Sequence, residues 1–211
     1  LWFANANSES GELLGFASTT LRASGSPAAS VAAKGPGKEV AFDAEGNVWT
    51  IGAVGTDATL ARYSAADFAS SGEKTPTKRI KLPSSCLPSF GAIAFDKSGA
   101  LWAASGCDHS IVKVGVGDVE RGGDVTPAVV LGGVQDPQAL AFDKLGNLWV
   151  SDTAGLRVGR FDAARLAASS TTPPDAAIAP KLDDGGDIAP GALAFDASGN
   201  LWATNFGGNV V

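Results

Sequence analysis

Short apolar runs alternate with turn residues along the chain, and one nine-residue pattern occurs four times without gaps. It reads Ala-Phe-Asp-x-x-Gly-x, then Leu or Val, then Trp, at residues 41–49, 94–102, 141–149 and 194–202. Leu1-Trp2 matches the end of a fifth copy. All five tryptophans belong to this pattern, at intervals of 47, 53, 47 and 53 residues. A fixed period of about fifty residues indicates a repeat architecture.

Each repeat predicts four short strands. The first is the apolar run before Asp, which we expect to be buried on both faces, and the second contains the Trp. Between them, Asp can bond the backbone two residues on and Gly can adopt positive φ, so Asp-x-x-Gly predicts a tight hairpin. Third strands are predicted near residues 13–16, 60–63, 111–114 and 158–161, and fourth strands near 30–32, 78–82, 128–131 and 176–179. The alternating charges of residues 78–82 are typical of a half-exposed outer edge.

Two segments between third and fourth strands look helical, at residues 64–72 and 162–167. Ser64 and Asp162 are the residue types that favour the N-cap position. Because the other copies show no such pattern, we expect the helical turn in only some repeats, which would help explain the unequal periods.

Four short antiparallel strands per repeat are typical of a β-propeller blade. We therefore predict an all-β, single-domain propeller over residues 1–211, with repeats near 1–37, 38–90, 91–137, 138–190 and 191–211. The first and last copies are incomplete. The chain is expected to be either part of a propeller of five to seven blades or a ring closed by its partial ends. Exposed blade faces in the first case would favour self-association.

The charge and the hydrophobicity of the chain exclude some classes of function. Sixteen Lys and Arg against 22 Asp and Glu give a net charge of −6, which disfavours binding to nucleic acid or anionic membranes. No apolar run is long enough for a transmembrane segment. The chain contains no Met, so its sequence is not informative about a signal peptide.

The Ala-Phe-Asp-x-x-Gly-Asn-Leu-Trp signature resembles NHL-repeat propellers and their relatives, the SMP-30/gluconolactonase-like and streptogramin-lyase-like proteins. The resemblance covers essentially the whole chain. It implies a propeller scaffold, which hosts many functions. In streptogramin-lyase-like relatives a His on the loop face acts in catalysis and a Glu follows the Leu-Trp-x-x stretch. This chain instead has Asn5, Gly52, Ser105, Asp152 and Asn205 at that position.

The Asp and Trp residues that recur in the pattern are expected to have structural rather than catalytic roles. Asp is suited to bonding within the hairpin, and Trp to filling the space between blades. These structural residues are Asp43, Trp49, Asp96, Trp102, Asp143, Trp149, Asp196 and Trp202.

Two cysteines lie in loops that the predicted topology places on the same face of one blade. We expect Cys86 and Cys107 to form a disulfide, with two buried free thiols as the alternative. A disulfide would indicate an oxidising compartment, and hence an extracellular, periplasmic or cell-surface location.

Candidates for catalysis and metal binding are few. His109, the one His, could act as a general base, although a solvated loop residue is the simpler interpretation. A gluconolactonase-like site would hold a divalent cation such as Ca²⁺ through Asp152 and Asn205. However, the residues two before the Ala-Phe-Asp triplet are Glu39, Ala92, Ala139 and Ala192, so three of these four positions offer no ligand. The acidic loop at residues 181–187 lacks the ligand spacing of a calcium loop.

The leading hypothesis is an exported, NHL-like propeller that binds a protein or glycan partner through one loop-rich face and needs no cofactor. The residues expected on that face are Asn5, Ser105, Gln138, Asp152 and Asn205. The first alternative is a metal-dependent lactonase- or lyase-like enzyme in which Asp152, Asn205 and His109 converge. The second is a propeller fragment that associates with another copy of itself.

Overall fold

Nineteen strands form the framework of the described chain. The computed structural model describes residues 2–5, 12–17, 19, 22, 24–35, 37, 39–54, 57–83 and 90–206, with only the backbone for residues 2–5, 53, 54, 57 and 90. Within these ranges the strands form five separate sheets, which we call blades 1 to 5 in chain order.

The blades repeat one topology in which consecutive strands pair antiparallel. Blades 2, 3 and 4 each contain all four predicted strands, blade 1 contains the second to fourth, and blade 5 contains the first two. The strands of blades 1 and 2 are β1 (Trp2–Asn5), β2 (Glu12–Gly15), β3 (Val31–Lys34), β4 (Glu39–Phe42), β5 (Val48–Val54), β6 (Asp57–Tyr63) and β8 (Lys78–Leu82). Those of blades 3 to 5 are β9 (Phe90–Phe95), β10 (Leu101–Ser105), β11 (Ser110–Val114), β13 (Val129–Leu131), β14 (Pro137–Phe142), β15 (Leu148–Asp152), β16 (Arg157–Phe161), β17 (Ala176–Ile178), β18 (Pro190–Phe195) and β19 (Leu201–Asn205).

The first strands of neighbouring blades lie side by side, β4 next to β9, β9 next to β14 and β14 next to β18. In β9 and β14 consecutive residues such as Ala92 and Ile93 are both buried, as predicted, but the other inner strands are partly exposed. In β4, for example, Glu39 and Phe42 are exposed. Glu39 borders a pocket between the inner strands, which accounts for its exposure.

Short strands from the following repeat cover the outer edges of blades 1 and 2. The strand β7 (Gly72–Glu73) pairs in parallel with β3, and β12 (Gly123–Asp124) pairs in parallel with β8. A single parallel bridge joins Leu131 of blade 3 to Ser170 in the same way. The sequence pattern did not predict these pairs, which occupy backbone groups that an edge strand would otherwise leave open.

A short helix connects the third and fourth strands in each of blades 2, 3 and 4. The 3-10 helix Ala65–Ala69 begins at Ser64, whose Oγ accepts a hydrogen bond from the Asp67 N–H, so the predicted cap is confirmed. In blade 3 the connection is an α-helix, Val116–Arg121, which the sequence analysis missed. Blade 3, for which the sequence predicted no such turn, therefore has one as well.

The blade 4 helix, Ala163–Ala167, lies where predicted but is not capped by the Asp162 side chain. That carboxylate instead accepts a hydrogen bond from Arg160 Nε at 2.9 Å. Asp162 is therefore the N-cap residue, as predicted, but its side chain does not cap the helix because a cation on the preceding strand competes for the carboxylate.

Buried side chains cluster between blades. Three clusters of buried side chains each combine residues of two neighbouring blades. Within them, Trp49 contacts Phe95 of the next blade, edge to face, with ring centroids 5.9 Å apart, and Trp102 contacts Phe142 at 6.1 Å. Each blade therefore depends on its neighbour for a dry interior. No helix in the described ranges is long and apolar enough to cross a membrane.

Candidate functional site

The hairpins between first and second strands form one face of the blades, and their Asp side chains bond within the hairpin. In blade 4, Asp143 Oδ1 accepts the Asn147 N–H at 2.9 Å and Oδ2 accepts Trp149 Nε1–H at 3.0 Å. The same indole hydrogen bond occurs in blades 2, 3 and 5, from Trp49, Trp102 and Trp202 to Asp43, Asp96 and Asp196. The sequence pattern did not reveal that the two most repeated residues are bonded to each other.

These hydrogen bonds have an electrostatic consequence. For Asp43, Asp96 and Asp143, burial opposes ionisation, but hydrogen bonds from the turn and the indole outweigh it and lower the pKa below 3.8. The half-buried Asp196 has a pKa of about 2, chiefly because Asn200 donates hydrogen bonds to it. Carboxylates held in this way remain ionised at neutral pH and are poor proton donors.

The opposite face carries the turns between second and third strands, which include several of the predicted site residues. Ser105 and Asp152 occupy equivalent positions at the ends of β10 and β15, and both are buried. Ser105 Oγ accepts the Asp108 N–H at 3.2 Å, and Asp152 Oδ1 accepts the Gly155 N–H at 3.3 Å. Each side chain therefore caps its own turn.

Asp152 is bound on all sides. Its Oδ1 also accepts the N–H groups of Gln135 and Asp136, both at 2.9 Å. Its Oδ2 accepts a hydrogen bond from Arg157 Nε at 3.0 Å and forms an ion pair with Arg157 Nη2 at the same distance. Arg157 also donates to the Gly133 carbonyl at 2.8 Å. Asp152 has no exposed surface, and both of its carboxylate oxygens accept hydrogen bonds. It therefore links the residues that precede β14 to the turn between β15 and β16.

His109 lies in the equivalent turn of blade 3 with φ of 50°. Leu156 has φ of 53° at the corresponding position of blade 4, so the left-handed conformation belongs to the turn rather than to histidine chemistry. The His109 ring is exposed, and Nδ1 contacts the Gln135 carbonyl oxygen. His109 and Asp152 thus both approach Gln135, but through its backbone.

The remaining sequence candidates lie further apart. Asn205 is half-buried at the end of β19, opposite Pro190 of β18. The backbone of Asn5 pairs with Glu12, and its side chain lies outside the described part of the chain. Cys107 is exposed in the turn after β10, and Cys86 lies outside the described residues, so the Cys86–Cys107 bridge stays a prediction.

The inner strands border a half-open pocket of about 360 Å³, which we call the axial pocket. Its wall combines Gly and Ala residues at the starts of β9, β14 and β18 with larger aliphatic side chains of the inner strands, and Phe206 lies at one side. Glu39 and Gln138 are its two polar side chains. The sequence predicted five residues on the loop face. Of those whose side chains the structure describes, Gln138 is the one that lines this pocket.

A bulge at the start of an inner strand accounts for the position of Gln138. The β14–β15 register shifts between Pro137 and Ala139, so one residue is left out of the ladder, and β18 has a shift near its own start. Bulges redirect side chains and are frequent beside functional sites. The Gln138 amide donates to Asp136 Oδ1 at 2.6 Å, which leaves its carbonyl oxygen as an acceptor.

Glu39 is the functional candidate that the sequence analysis left out of its site. It aligns with Ala92, Ala139 and Ala192, so the signal was a single charged residue at an otherwise apolar position of the inner strand. Although the residue borders the open side of the pocket, burial around its carboxyl raises the pKa from 4.5 to about 7. Glu39 can therefore exchange a proton near neutral pH.

Two cavities on the hairpin face are larger than the axial pocket, at about 580 and 410 Å³. They lie at equivalent places, between blades 2 and 3 and between blades 3 and 4, and both are bordered by hairpin residues and by the short helix of the following blade. Both cavities occur where a hairpin lies beside the short helix of the following blade, so we attribute them to blade packing.

Within the described ranges no group of three or more His, Cys, Asp or Glu side chains is placed to hold an ion. The two predicted metal ligands lie on different blades, Asp152 on blade 4 and Asn205 on blade 5. Both carboxylate oxygens of Asp152 already accept hydrogen bonds from protein groups.

Solved structures with a similar arrangement are propellers and propeller enzymes. An H270A virginiamycin B lyase from Staphylococcus aureus, solved with quinupristin, has 16% identity and a TM-score of 0.56, with 82% of this chain and 50% of that chain covered. The Dos1 propeller has 10% identity and a TM-score of 0.56, covering 96% and 46%. A luciferin-regenerating enzyme has 14% identity and a TM-score of 0.60, covering 97% and 69%.

The chain has a β-propeller fold. At these identities the likeness shows the fold alone. The chain spans about half the length of the virginiamycin B lyases. No family model and no curated protein matches it. The predicted propeller is therefore confirmed, whereas its NHL character stays a prediction.

Proposed function

We propose that the protein is an exported, NHL-like propeller that acts as a binding module, and that part of a protein or glycan partner enters the axial pocket. The observation that carries this proposal is the composition of the pocket wall. Small residues leave room for a ligand, and Glu39 and Gln138 offer hydrogen bonds from different blades. A volume of about 360 Å³ lies at the lower end of ligand sites and suits one sugar ring or one side chain of a partner protein.

The loop-face turns support recognition over catalysis. Ser105 and Asp152, the polar side chains that a reaction would recruit, hold their own turns together. Export rests on the predicted Cys86–Cys107 disulfide, and the extracellular, periplasmic or cell-surface location is part of the same proposal.

Binding can be tested on an array of immobilised glycans, followed by calorimetry with any sugar that binds. We expect Gln138→Ala and Glu39→Gln each to weaken binding about tenfold, the effect of one lost hydrogen bond. Leu145→Ser, on the hairpin of blade 4, is the control that should bind normally. A glycan that binds both pocket variants as tightly as the original chain would place recognition outside the axial pocket.

A lyase-like enzyme is the second candidate, and the pKa of Glu39 favours it. A carboxyl group with a pKa of about 7 can remove a proton at neutral pH, and it faces a pocket large enough for part of a substrate. The fold likeness to virginiamycin B lyase suggests a compound to test, the quinupristin named with that protein.

Quinupristin can be incubated with the protein, with and without Ca²⁺ or Mg²⁺, and the products separated by chromatography. The binding-module proposal predicts no turnover. Turnover that disappears in Glu39→Gln but persists in Leu145→Ser would replace it with the enzyme. Turnover that persists in Glu39→Gln would contradict the binding-module proposal and would also show that the Glu39 carboxyl is not the base of the enzyme.

A further inference from the structure

The start of β14 carries an amide and an acidic side chain that the neighbouring blades lack. Gln138 aligns with Gly91 of blade 3 and Gly191 of blade 5, and Asp136, two residues earlier, has no acidic counterpart in the other repeats. Blades 3 and 5 form the same inner strand with Gly in place of Gln138. The propeller framework therefore does not require these two side chains, and we assign them to function.

The orientation of the Gln138 amide is fixed by its partner. Nε2 donates to Asp136 Oδ1 at 2.6 Å, and since a carboxylate only accepts, the amide nitrogen has to face Asp136. The two ends of the amide lie against different glycines of blade 3. A Cβ at Gly106 would lie 3.2 Å from Nε2, and a Cβ at Gly91 would lie 2.8 Å from Oε1. Because Gly91, unlike Gly106, borders the axial pocket, the carbonyl oxygen is the end nearer the pocket.

Asp136 is itself held in place by the turn between β15 and β16. Its N–H donates to Asp152 Oδ1 at 2.9 Å, and its carbonyl oxygen accepts the Thr153 N–H at 3.0 Å. The Asp136 carboxylate occupies space that a side chain at Gly106 would fill, since a Cβ there would clash with Oδ1. Asp152 therefore acts on the axial pocket through Asp136 rather than directly.

We propose that Asp136 is a positioning residue of the axial pocket, which holds the Gln138 amide so that its carbonyl oxygen accepts a hydrogen bond from a sugar hydroxyl. This inference rests on the proposed function and narrows its ligand to a sugar. Glu39, the second polar side chain of the pocket, lies on blade 2, so a ligand that contacts both needs polar groups on two sides. A sugar ring carries hydroxyl donors around its edge, and a pocket of about 360 Å³ suits one ring.

The positioning can be tested on the protein alone by NMR of the ¹⁵N-labelled chain. The side-chain signals of Gln138 are those that Gln138→Ala removes. We expect its amide protons to exchange with water at least about tenfold more slowly in the original chain than in Asp136→Ala, because a hydrogen bond protects them. Asp183→Ala removes an exposed carboxylate from another loop and is the control that should leave these signals unchanged. Equal exchange rates in Asp136→Ala and the control would overturn the proposal.

A double-mutant cycle tests the effect on binding, with glucose, galactose, mannose and N-acetylglucosamine titrated as probes. For a sugar that binds, Gln138→Ala should weaken binding about tenfold. Asp136→Ala should weaken it about fivefold, since the amide is no longer ordered before the sugar arrives. In the Gln138→Ala background Asp136→Ala should have no further effect, because Asp136 acts through that amide. Additive losses, or binding by Asp136→Ala as tight as by Asp183→Ala, would overturn the positioning role. Backbone signals in the same spectra show that each variant remains folded.

Derivatives of the sugar that binds test the hydroxyl donor. A deoxy derivative lacks the hydroxyl, whereas an O-methyl derivative keeps the oxygen but cannot donate. At one ring position we expect both derivatives to bind the original chain about tenfold more weakly than the parent sugar, and to bind Gln138→Ala as well as the parent does. No binding of any probe, or O-methyl derivatives that all bind as tightly as the parent, would overturn the sugar ligand and leave the proposed function with a protein partner. The proposed function itself would fail if a sugar bound normally to both Gln138→Ala and Glu39→Gln.

Discussion

The most informative perturbation compares two tryptophans that share a repeat position but differ in burial. Trp102 has no exposed surface and packs against Phe142 of the next blade, whereas Trp202 is 65% exposed. Both donate an indole hydrogen bond to the Asp of their own hairpin. Truncation of each to Ala therefore removes the same local bond, and the difference reports the packing between blades.

The expected magnitudes follow from burial. Truncation of a fully buried Trp costs about 3–5 kcal/mol in the free energy of unfolding, so Trp102→Ala should be strongly destabilised. Since Trp202 buries about a third of its side chain, the same scaling gives about 1–2 kcal/mol for Trp202→Ala. For a chain of this size each kcal/mol corresponds to roughly 2–4 °C in melting temperature.

Urea unfolding followed by circular dichroism, at about 1 µM protein to limit association, measures both values. Equal destabilisation by the two substitutions would refute the reasoning. It would mean that the Asp–Trp hydrogen bond, rather than the neighbouring blade, gives the repeated tryptophan its importance.

Three further predictions concern single sites. Because the pKa of Glu39 is raised in the folded state, its contribution to stability is fully present below pH 4.5 and is lost as the pH rises through 7. The melting temperature should therefore fall from pH 5 to pH 8 more in the original chain than in Glu39→Gln, and equal slopes would contradict the raised pKa. Asp152→Ala should lose about 3–5 kcal/mol of stability, since it strands the Arg157 charge. If Ca²⁺ raised the melting temperature of the original chain but not that of an Asp152→Ala variant with normal urea unfolding, the metal role would be supported instead. Alkylation without reductant should add no mass to Cys86 or Cys107, and two added labels would exclude the disulfide.

The repeat pattern alone was enough to predict the architecture. Asp-x-x-Gly requires a tight hairpin, because few other residues tolerate the positive φ that Gly146 adopts at 86°. Once that hairpin recurs beside Trp at a fifty-residue period, four-stranded blades follow. The outer strand Lys78–Leu82 has the bounds that its alternating charges predicted.

The candidate site was less predictable, because the sequence does not show which polar groups are already bonded. Asp152 and Asn205 look alike as potential ligands along the chain. The structure shows that Asp152 accepts hydrogen bonds from groups up to 17 residues away, as from Gln135. Such contacts depend on how blade 4 begins, and local sequence carries no signal for them.

Local chemistry thus determined the hairpins, the strands and the tryptophans between blades, since each depends on residues only a few positions apart. Tertiary structure decided which side chains are available. It turned Asp152 inward, gave Glu39 a pocket and a raised pKa, and buried Trp102 completely against Phe142 of blade 4. Burial and solvation depend on neighbouring blades about fifty residues away, and distance along the chain does not reveal them.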